Sequence, residues 1–141
     1  MDKVEKIKKK IKEKIKIIDI PLYRCSVICL YETTLEEWTE FFKEQYKENK
    51  VPTKIDVAVQ EEFENNSLGF VLSTGFNDYV LYVSDVDNAG LVAHEIFHAA
   101  HIILFERNYQ TDGIAEPEAY LIEYLTNRFY IEYQEEETKE N

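Results

Sequence analysis

The sequence predicts a single α+β domain in which a small sheet packs against several helices. Segments with apolar residues at helical spacing occur in both halves of the chain, and strand-like apolar segments lie between them. Of the 141 residues, 45% are hydrophobic, and they include 10 Tyr and 8 Phe, which is enough for one core. The sequence contains no internal repeat, so residues 1–141 are treated as one domain.

The N-terminal segment is predicted to be a Lys-rich amphipathic helix at the periphery of the domain. Its apolar residues recur at helical spacing among the lysines: Val4, Ile7, Ile11, Ile15 and Ile18. Residues 1–16 contain 8 Lys and 3 acidic residues, a net charge of +5, whereas the rest of the chain carries −17. We expect the Ile stripe to dock on the domain or, by self-association, on a second copy of the chain. Binding to an anionic surface is the less favoured alternative.

A strand and a helix are predicted next. Residues 25–32, Cys-Ser-Val-Ile-Cys-Leu-Tyr-Glu, have the composition of a strand. Residues 35–49 have aromatic side chains at helical spacing, and Thr33 or Thr34 is the expected N-cap.

Three further segments are strand candidates: residues 54–60, 69–74 and 79–84. The last two are joined by a turn at residues 75–78. We expect a peptide substrate to lie extended along residues 79–84 as an exposed sheet edge, because such an edge offers backbone hydrogen bonds that accept many sequences. The acidic tail, residues 135–141, is expected to be frayed.

The charge and the cysteines narrow the expected partners and compartment. A net charge of −12 argues against nucleic acid as a partner, and no segment is long enough to span a membrane. Cys25 and Cys29, in one predicted strand, would lie about 13 Å apart, which exceeds the roughly 7 Å that a disulfide bridges. We expect them to be small packing residues. Two free thiols, and a Lys-rich start without the apolar stretch of a signal peptide, favour a cytoplasmic protein.

The most informative segment is a His-Glu-Ile-Phe-His run that begins at His94. His94 and His98 are four residues apart, so both imidazoles project from one face of a helix and can bind one metal ion. Glu95 follows the first histidine, where its carboxylate can deprotonate a water held by the metal. The surrounding residues are mostly apolar, which predicts a buried helix with Asp87 or Asn88 as its N-cap. Burying two histidines and a glutamate in such a helix is costly unless they are paired or bind metal.

A catalytic zinc site usually needs a third protein ligand in addition to two histidines. The candidates lie downstream, in residues 112–125. Pro117 is tolerated in the first turn of a helix, so a second helix is predicted to begin near Glu116. Glu116 and Tyr120 then share one stripe of that helix, and a short polar loop lets it fold back beside the first helix.

These residues carry a resemblance to a known family. The HExxH run at His94, flanked by uncharged residues and followed by Glu-x-x-Ala-Tyr from Glu116 to Tyr120, resembles the zincin metallopeptidases. Within them it is similar to the gluzincin-like pattern, in which a Glu on the next helix is the third ligand. The size and spacing resemble small phage and prophage metallopeptidases and, more distantly, ImmA/IrrE-type domains. The resemblance covers about residues 79–126.

The resemblance implies a minimal zincin, in which a small mixed sheet packs against an HExxH active-site helix and a C-terminal ligand helix. His94 and His98 would bind Zn²⁺, Glu95 would be the general base, and Glu116 would be the third ligand. Glu118 is a competitor for that last role, because a proline follows Glu116. The implied activity is hydrolysis of a peptide or protein substrate inside a bacterial or phage-infected cell.

His101 is expected to lie at the rim of the site rather than to bind the ion. It is seven residues after His94, an axial rise of about 10.5 Å, so three histidines on one straight helix cannot easily converge. The metzincins, which use three histidines, place the third where this chain has Leu104. The sequence therefore departs from the metzincin pattern.

The expected mechanism is zinc-assisted attack of water on a carbonyl group, with Glu95 passing the proton to the leaving amine. Tyr120 or Tyr109 could donate a hydrogen bond to the oxyanion, although a Tyr near such a core more often serves packing. The alternative is a catalytically silent zincin-fold binding or accessory protein of a phage or prophage, with a structural zinc. Glu95 favours the enzyme, because a structural site needs no base.

Overall fold

The computed structural model describes residues 2–46, 53–75, 77–108 and 116–140. In these residues the elements are, in chain order, α1 (Lys3–Lys14), β1 (Ile15–Ile20), a short 3₁₀ helix (Pro21–Tyr23), β2 (Cys25–Tyr31), α2 (Leu35–Tyr46), α3 (Thr53–Glu64), β3 (Gly69–Ser73), β4 (Asp78–Val83), α4 (Ala89–Glu106) and α5 (Glu116–Glu140). The α+β class predicted from the sequence is therefore confirmed.

The sheet is mixed and has the strand order β1-β2-β4-β3. β1 is antiparallel to β2, β2 is parallel to β4, and β4 is antiparallel to β3. Apolar clusters cover both faces of the sheet, one beneath α4 and α5 and the other beneath α2 and α3. The sheet is thus the middle layer between two layers of helices, and the His-containing helix α4 lies on one face.

The expectation that residues 79–84 form an exposed sheet edge is wrong. β4 pairs with β2 on one side and with β3 on the other, and its residues 79–83 are buried. A strand buried on both faces is a nearly continuous apolar run, which is the pattern of Tyr79-Val80-Leu81-Tyr82-Val83. Among the described strands, the edges are β1 and β3.

The predicted N-terminal helix ends earlier than expected, at Lys14, and the next six residues form β1. Ile15 and Ile18 continue the helical spacing of the preceding residues, but both are buried in the sheet. Pairing with β2 over six residues and the preference of β-branched side chains for strands prevail over the helical pattern. None of the residues of α1 is buried, and this helix lies against α2.

Residues 54–60 were a strand candidate, and this prediction is also wrong because they lie in α3. Ile55, Val57 and Val59 alternate as in a strand, but Ile55 and Val59 are also four apart, as on one helix face. Those two are buried against Trp38 in one cluster, whereas Val57 is 53% exposed. The burial pattern is that of a helix.

Other local predictions are confirmed. β2, β3, β4 and α2 lie where strands and a helix were predicted, although residues 47–49 of the helix prediction fall outside the described residues. Thr34 caps α2 through a reciprocal pair: its Oγ1 accepts from the Glu37 N–H at 3.1 Å, and its N–H donates to Glu37 Oε1 at 2.9 Å. Cys25 and Cys29 are buried free thiols.

At the C-terminus, α5 continues through Glu140, where a frayed tail was expected. In the described part of the chain, no helix has both the length and the apolar content that crossing a bilayer requires.

Candidate metal and catalytic site

The rotation of α4 determines which of its side chains are exposed. The helix begins at the predicted cap, where Leu91 N–H donates to Asn88 Oδ1 at 3.1 Å. Its buried face comprises Val92, Glu95, Ile96, Ala99, Ala100, Ile103 and Leu104. Packing of this face on the sheet leaves His94, His98 and His101 on the exposed side, so the prediction that the helix buries both histidines with Glu95 is wrong for the histidines.

The two histidines of the HExxH run lie together. The Nε2 atoms of His94 and His98 are 3.1 Å apart, and the ring planes are inclined by 78°. Two nitrogens bound to one tetrahedral zinc at about 2.0–2.1 Å would be separated by about 3.3–3.4 Å. The observed separation is therefore close to that of two ligands of one ion.

Glu95 lies beneath this pair in a tightly packed position. Only 4% of the residue is exposed, and its Oε1 is 3.9 Å from His94 Nε2. Its side chain crosses Gly69 at the start of β3, where an added Cβ would lie 2.8 Å from Glu95 Cγ and 3.0 Å from Cδ. Burial raises the pKa of the Glu95 carboxyl, the charge of His94 opposes that rise, and the nearby carboxylate of Glu62 adds to it.

Glu116 is not brought to the histidine pair. It is the exposed first residue of α5. In the part of the chain that the structure describes, no three His, Cys, Asp or Glu side chains are grouped so that they could hold one ion. The third ligand expected from the sequence is therefore not assembled in this conformation.

Glu118 is the carboxylate of the first turn of α5 that faces α4. Its Oε1 is 3.7 Å from His101 Nδ1, and only 14% of the side chain is exposed. At about 100° per residue, Glu118 lies within about 20° of Leu125 and Phe129, which are buried in the core. Among the described residues, the same Oε1 is buried and has no hydrogen-bond partner. Buried polar atoms normally have partners, and His101 Nδ1 at 3.7 Å lies just beyond hydrogen-bond distance of this oxygen.

Tyr120 lies on the opposite side of α5. It is about 160° around the helix from Glu118 and lines an apolar groove of about 220 Å³ between α5 and the 3₁₀ helix. The other lining residues are Ile20, Pro21, Leu22, Tyr23, Leu121 and Tyr124. This position gives no support to a role of Tyr120 at an oxyanion. Tyr109, the other candidate, lies outside the described residues.

Two contributors to the site were missed in the sequence. Gly69 gives Glu95 the space for its side chain, and Glu62 on α3 contributes a negative charge. A single glycine at the start of a strand was a usable signal, because it often marks a close approach of another group to the backbone. Comparisons with protein-family models, with curated proteins and with solved structures found no match.

Proposed function

We propose that this chain is a small zinc-dependent peptidase in which His94 and His98 bind the metal and Glu95 is the general base. The observation that carries the proposal is the 3.1 Å separation of the two Nε2 atoms on α4, with a buried carboxylate 3.9 Å from one of them. An ionised carboxylate in an apolar helix–sheet interface is costly unless a positive charge compensates it. A cation bound by the two imidazoles would supply that charge.

The residues present suit zinc, which binds imidazole nitrogen and carboxylate oxygen. For the third ligand, the buried and unpartnered Oε1 supports Glu118 over the exposed Glu116. His101, which contacts that oxygen, would then orient the ligand rather than bind the ion. A carboxylate contributed by α5 would also link the two helices that cover this face of the sheet.

Bound zinc would supply a Lewis acid and would lower the pKa of a water molecule. The task of Glu95 is to accept the proton of that water and to deliver it to the amine that leaves. A general base is most effective when its pKa lies near the working pH, and burial raises the pKa of Glu95 in that direction. The absence of a side chain at Gly69 leaves room for the Glu95 carboxylate arm in this position.

The substrate would be an extended peptide bound along β3. This strand is a sheet edge, and its first residue lies against Glu95. Such an edge accepts many sequences, because it recognises backbone groups. The buried free thiols of Cys25 and Cys29 support a reducing, cytoplasmic location, and the family resemblance suggests a bacterial or phage-infected cell.

The metal site is tested by measuring bound zinc in single alanine variants of His94, His98, Glu116 and Glu118. Glu123→Ala is the matched control, since Glu123 is an exposed carboxylate on the same helix. We expect one zinc per chain in wild type and control, and loss in the two His variants and in Glu118→Ala. Loss in Glu116→Ala instead would identify Glu116 as the third ligand. Full retention in all four variants would refute the site.

The reaction is tested with Glu95→Gln, which preserves shape and hydrogen bonding but removes the base. Zinc should be retained, and cleavage of a mixed peptide library should fall about 10²–10⁴-fold. Cleavage at the wild-type rate would contradict the assignment of Glu95. A wild-type protein that holds zinc and cleaves nothing would favour the binding or accessory protein with a structural zinc.

A further inference from the structure

Three aromatic side chains form a row on the exposed side of α4, which we call the aromatic ladder: Phe97, His101 and Phe105. The Phe97 and His101 rings are 6.2 Å apart, the His101 and Phe105 rings are 6.5 Å apart, and each pair is inclined by only 17°. Phe97 is 49% exposed and Phe105 is 73% exposed. Neither ring is needed to fill the core, which the opposite face of α4 already fills.

The ladder begins at the proposed metal ligands. The Phe97 ring is 6.0 Å from the ring of His98. From Phe97 the ladder extends eight residues to Phe105, an axial distance of about 12 Å. Glu118 on α5 lies beside its middle ring, with Oε1 3.7 Å from His101 Nδ1. A substrate side chain that contacts the ladder would therefore belong to a residue within a few positions of the scissile peptide bond at the histidine pair.

The ring spacing matches an extended peptide. Alternate side chains of an extended chain lie on the same side, about 6.6 Å apart, close to the 6.2 and 6.5 Å between successive ladder rings. The two outer rings are uncharged and apolar, so they favour apolar or aromatic groups over ionic ones. Contiguous apolar surface that a monomer leaves exposed commonly marks a site of interaction with a ligand or partner.

We propose that the aromatic ladder is the subsite that selects the substrate, by binding apolar or aromatic side chains at alternate positions on one side of the scissile bond. This inference rests on the proposed peptidase function, because it takes the histidine pair as the reaction centre. It assigns Phe97 and Phe105 as specificity-determining residues, whereas β3 would recognise only the peptide backbone.

The test measures peptide binding rather than turnover, in zinc-loaded full-length Glu95→Gln protein. The first probe is a short fluorescein-labelled peptide with phenylalanine at alternate positions. The second has serine in place of each phenylalanine, and the third has the phenylalanines adjacent. Each peptide is titrated by fluorescence anisotropy against two proteins. One is the Glu95→Gln parent, and the other, the ladder variant, carries Phe97→Ser and Phe105→Ser in addition to Glu95→Gln. The matched control adds Leu22→Ser and Val57→Ser, two exposed apolar residues on other elements.

We expect the alternate-phenylalanine peptide to bind best, and its affinity to fall about tenfold or more in the ladder variant but not in the control. Equal affinity of the ladder variant and the control for the alternate-phenylalanine peptide would overturn the proposal. If the parent protein binds the adjacent-phenylalanine peptide as tightly as the alternate one, the alternate spacing is overturned. The ladder variant without peptide should keep the melting temperature of the parent. A fall of several degrees would mean that the rings pack against this chain itself, which also overturns the subsite.

The same variants separate this inference from the peptidase proposal. Wild-type cleavage with a preference that the ladder variant leaves unchanged would refute the subsite alone. Ladder-dependent binding without any cleavage by the wild type would refute the hydrolysis and leave the apolar subsite in place.

Discussion

Gly69→Ala is the smallest change that we expect to disturb the proposed base without touching a proposed metal ligand. The added Cβ would lie 2.8 Å from Glu95 Cγ and 3.0 Å from its Cδ, whereas ordinary contacts begin at 3.4 Å. It would also lie 3.0 Å from the backbone oxygen of Tyr82 in β4. The sheet backbone cannot easily retreat, so the carboxylate arm of Glu95 has to move.

The effects of Gly69→Ala on stability and on the cleavage rate can be estimated from this close packing. Overfilling a packed interior typically costs about 1–3 kcal/mol of unfolding free energy. A displacement on the order of 1 Å at a catalytic group can lower the rate about 10²-fold. We therefore expect Gly69→Ala to keep its zinc, to melt several degrees lower, and to lose about 10–10²-fold in the cleavage rate. The affinity for peptide should change less than this rate, because the change acts on the base.

A double-mutant cycle isolates the contact with Glu95. The unfolding free energies of Gly69→Ala, Glu95→Ala and the double variant are compared with wild type. When the Glu95 side chain is removed, only the contact with the Tyr82 oxygen is left, so the cost of Gly69→Ala should fall. Gly90→Ala is the matched control, because its nearest neighbour would be Asn88 Oδ1 at 3.6 Å. An equal cost of Gly69→Ala in both backgrounds would refute the reasoning, even if no substrate is at hand.

Three further predictions concern the elements around the site. Asn88→Ala should lower the unfolding free energy in urea by about 1 kcal/mol through loss of the α4 cap, and Asn88→Asp should restore it. Burial raises the pKa of the Cys29 thiol to about 12, so in the native protein it should not react with an aromatic disulfide reagent at pH 8, whereas it should react once unfolded in urea. Deleting residues 2–14 should leave zinc content unchanged, because α1 has no buried residue; loss of zinc from a folded truncated protein would contradict this.

The sequence predicts an element correctly where its local apolar periodicity agrees with the way the element packs in the fold. They agree in β2, α2 and α4, where periodicity, caps and burial indicate the same element. They conflict at Ile15–Ile20, where residues at helical spacing pair with β2, and in α3, where Ile55 and Val59 satisfy both periodicities. Whether such a segment forms a helix or a strand depends on the elements that it packs against or pairs with. The local sequence of the segment does not identify those elements.

The same distinction applies to the candidate site. The pairing of His94 with His98 could be predicted because it lies within one turn of one helix. The choice between Glu116 and Glu118 depends on the rotation of α5, which packing determines. Leu121, Leu125 and Phe129 are buried, and Glu118 lies on the same face of α5 as these three residues. The contact of Gly69 with Glu95 joins residues 26 positions apart, and no local pattern predicts it.

Two carboxylates of low exposure, Glu95 and Glu118, lie beside the histidine row of α4. Glu95 lies under one end of the exposed histidine row, and Glu118 contacts the other end through His101. A buried carboxylate that lacks a full complement of hydrogen bonds destabilises the fold unless a positive charge is near. Many of the lysines lie in α1, which packs mainly against α2 and also contacts α5, and no ion pair between an α1 lysine and Glu95 or Glu118 is seen among the described residues. A divalent ion at His94 and His98 would offset the charge of Glu95, whereas in the described part of the chain Glu118 is not grouped with these two histidines. The feature that costs this fold stability without metal is therefore the one that would favour metal binding.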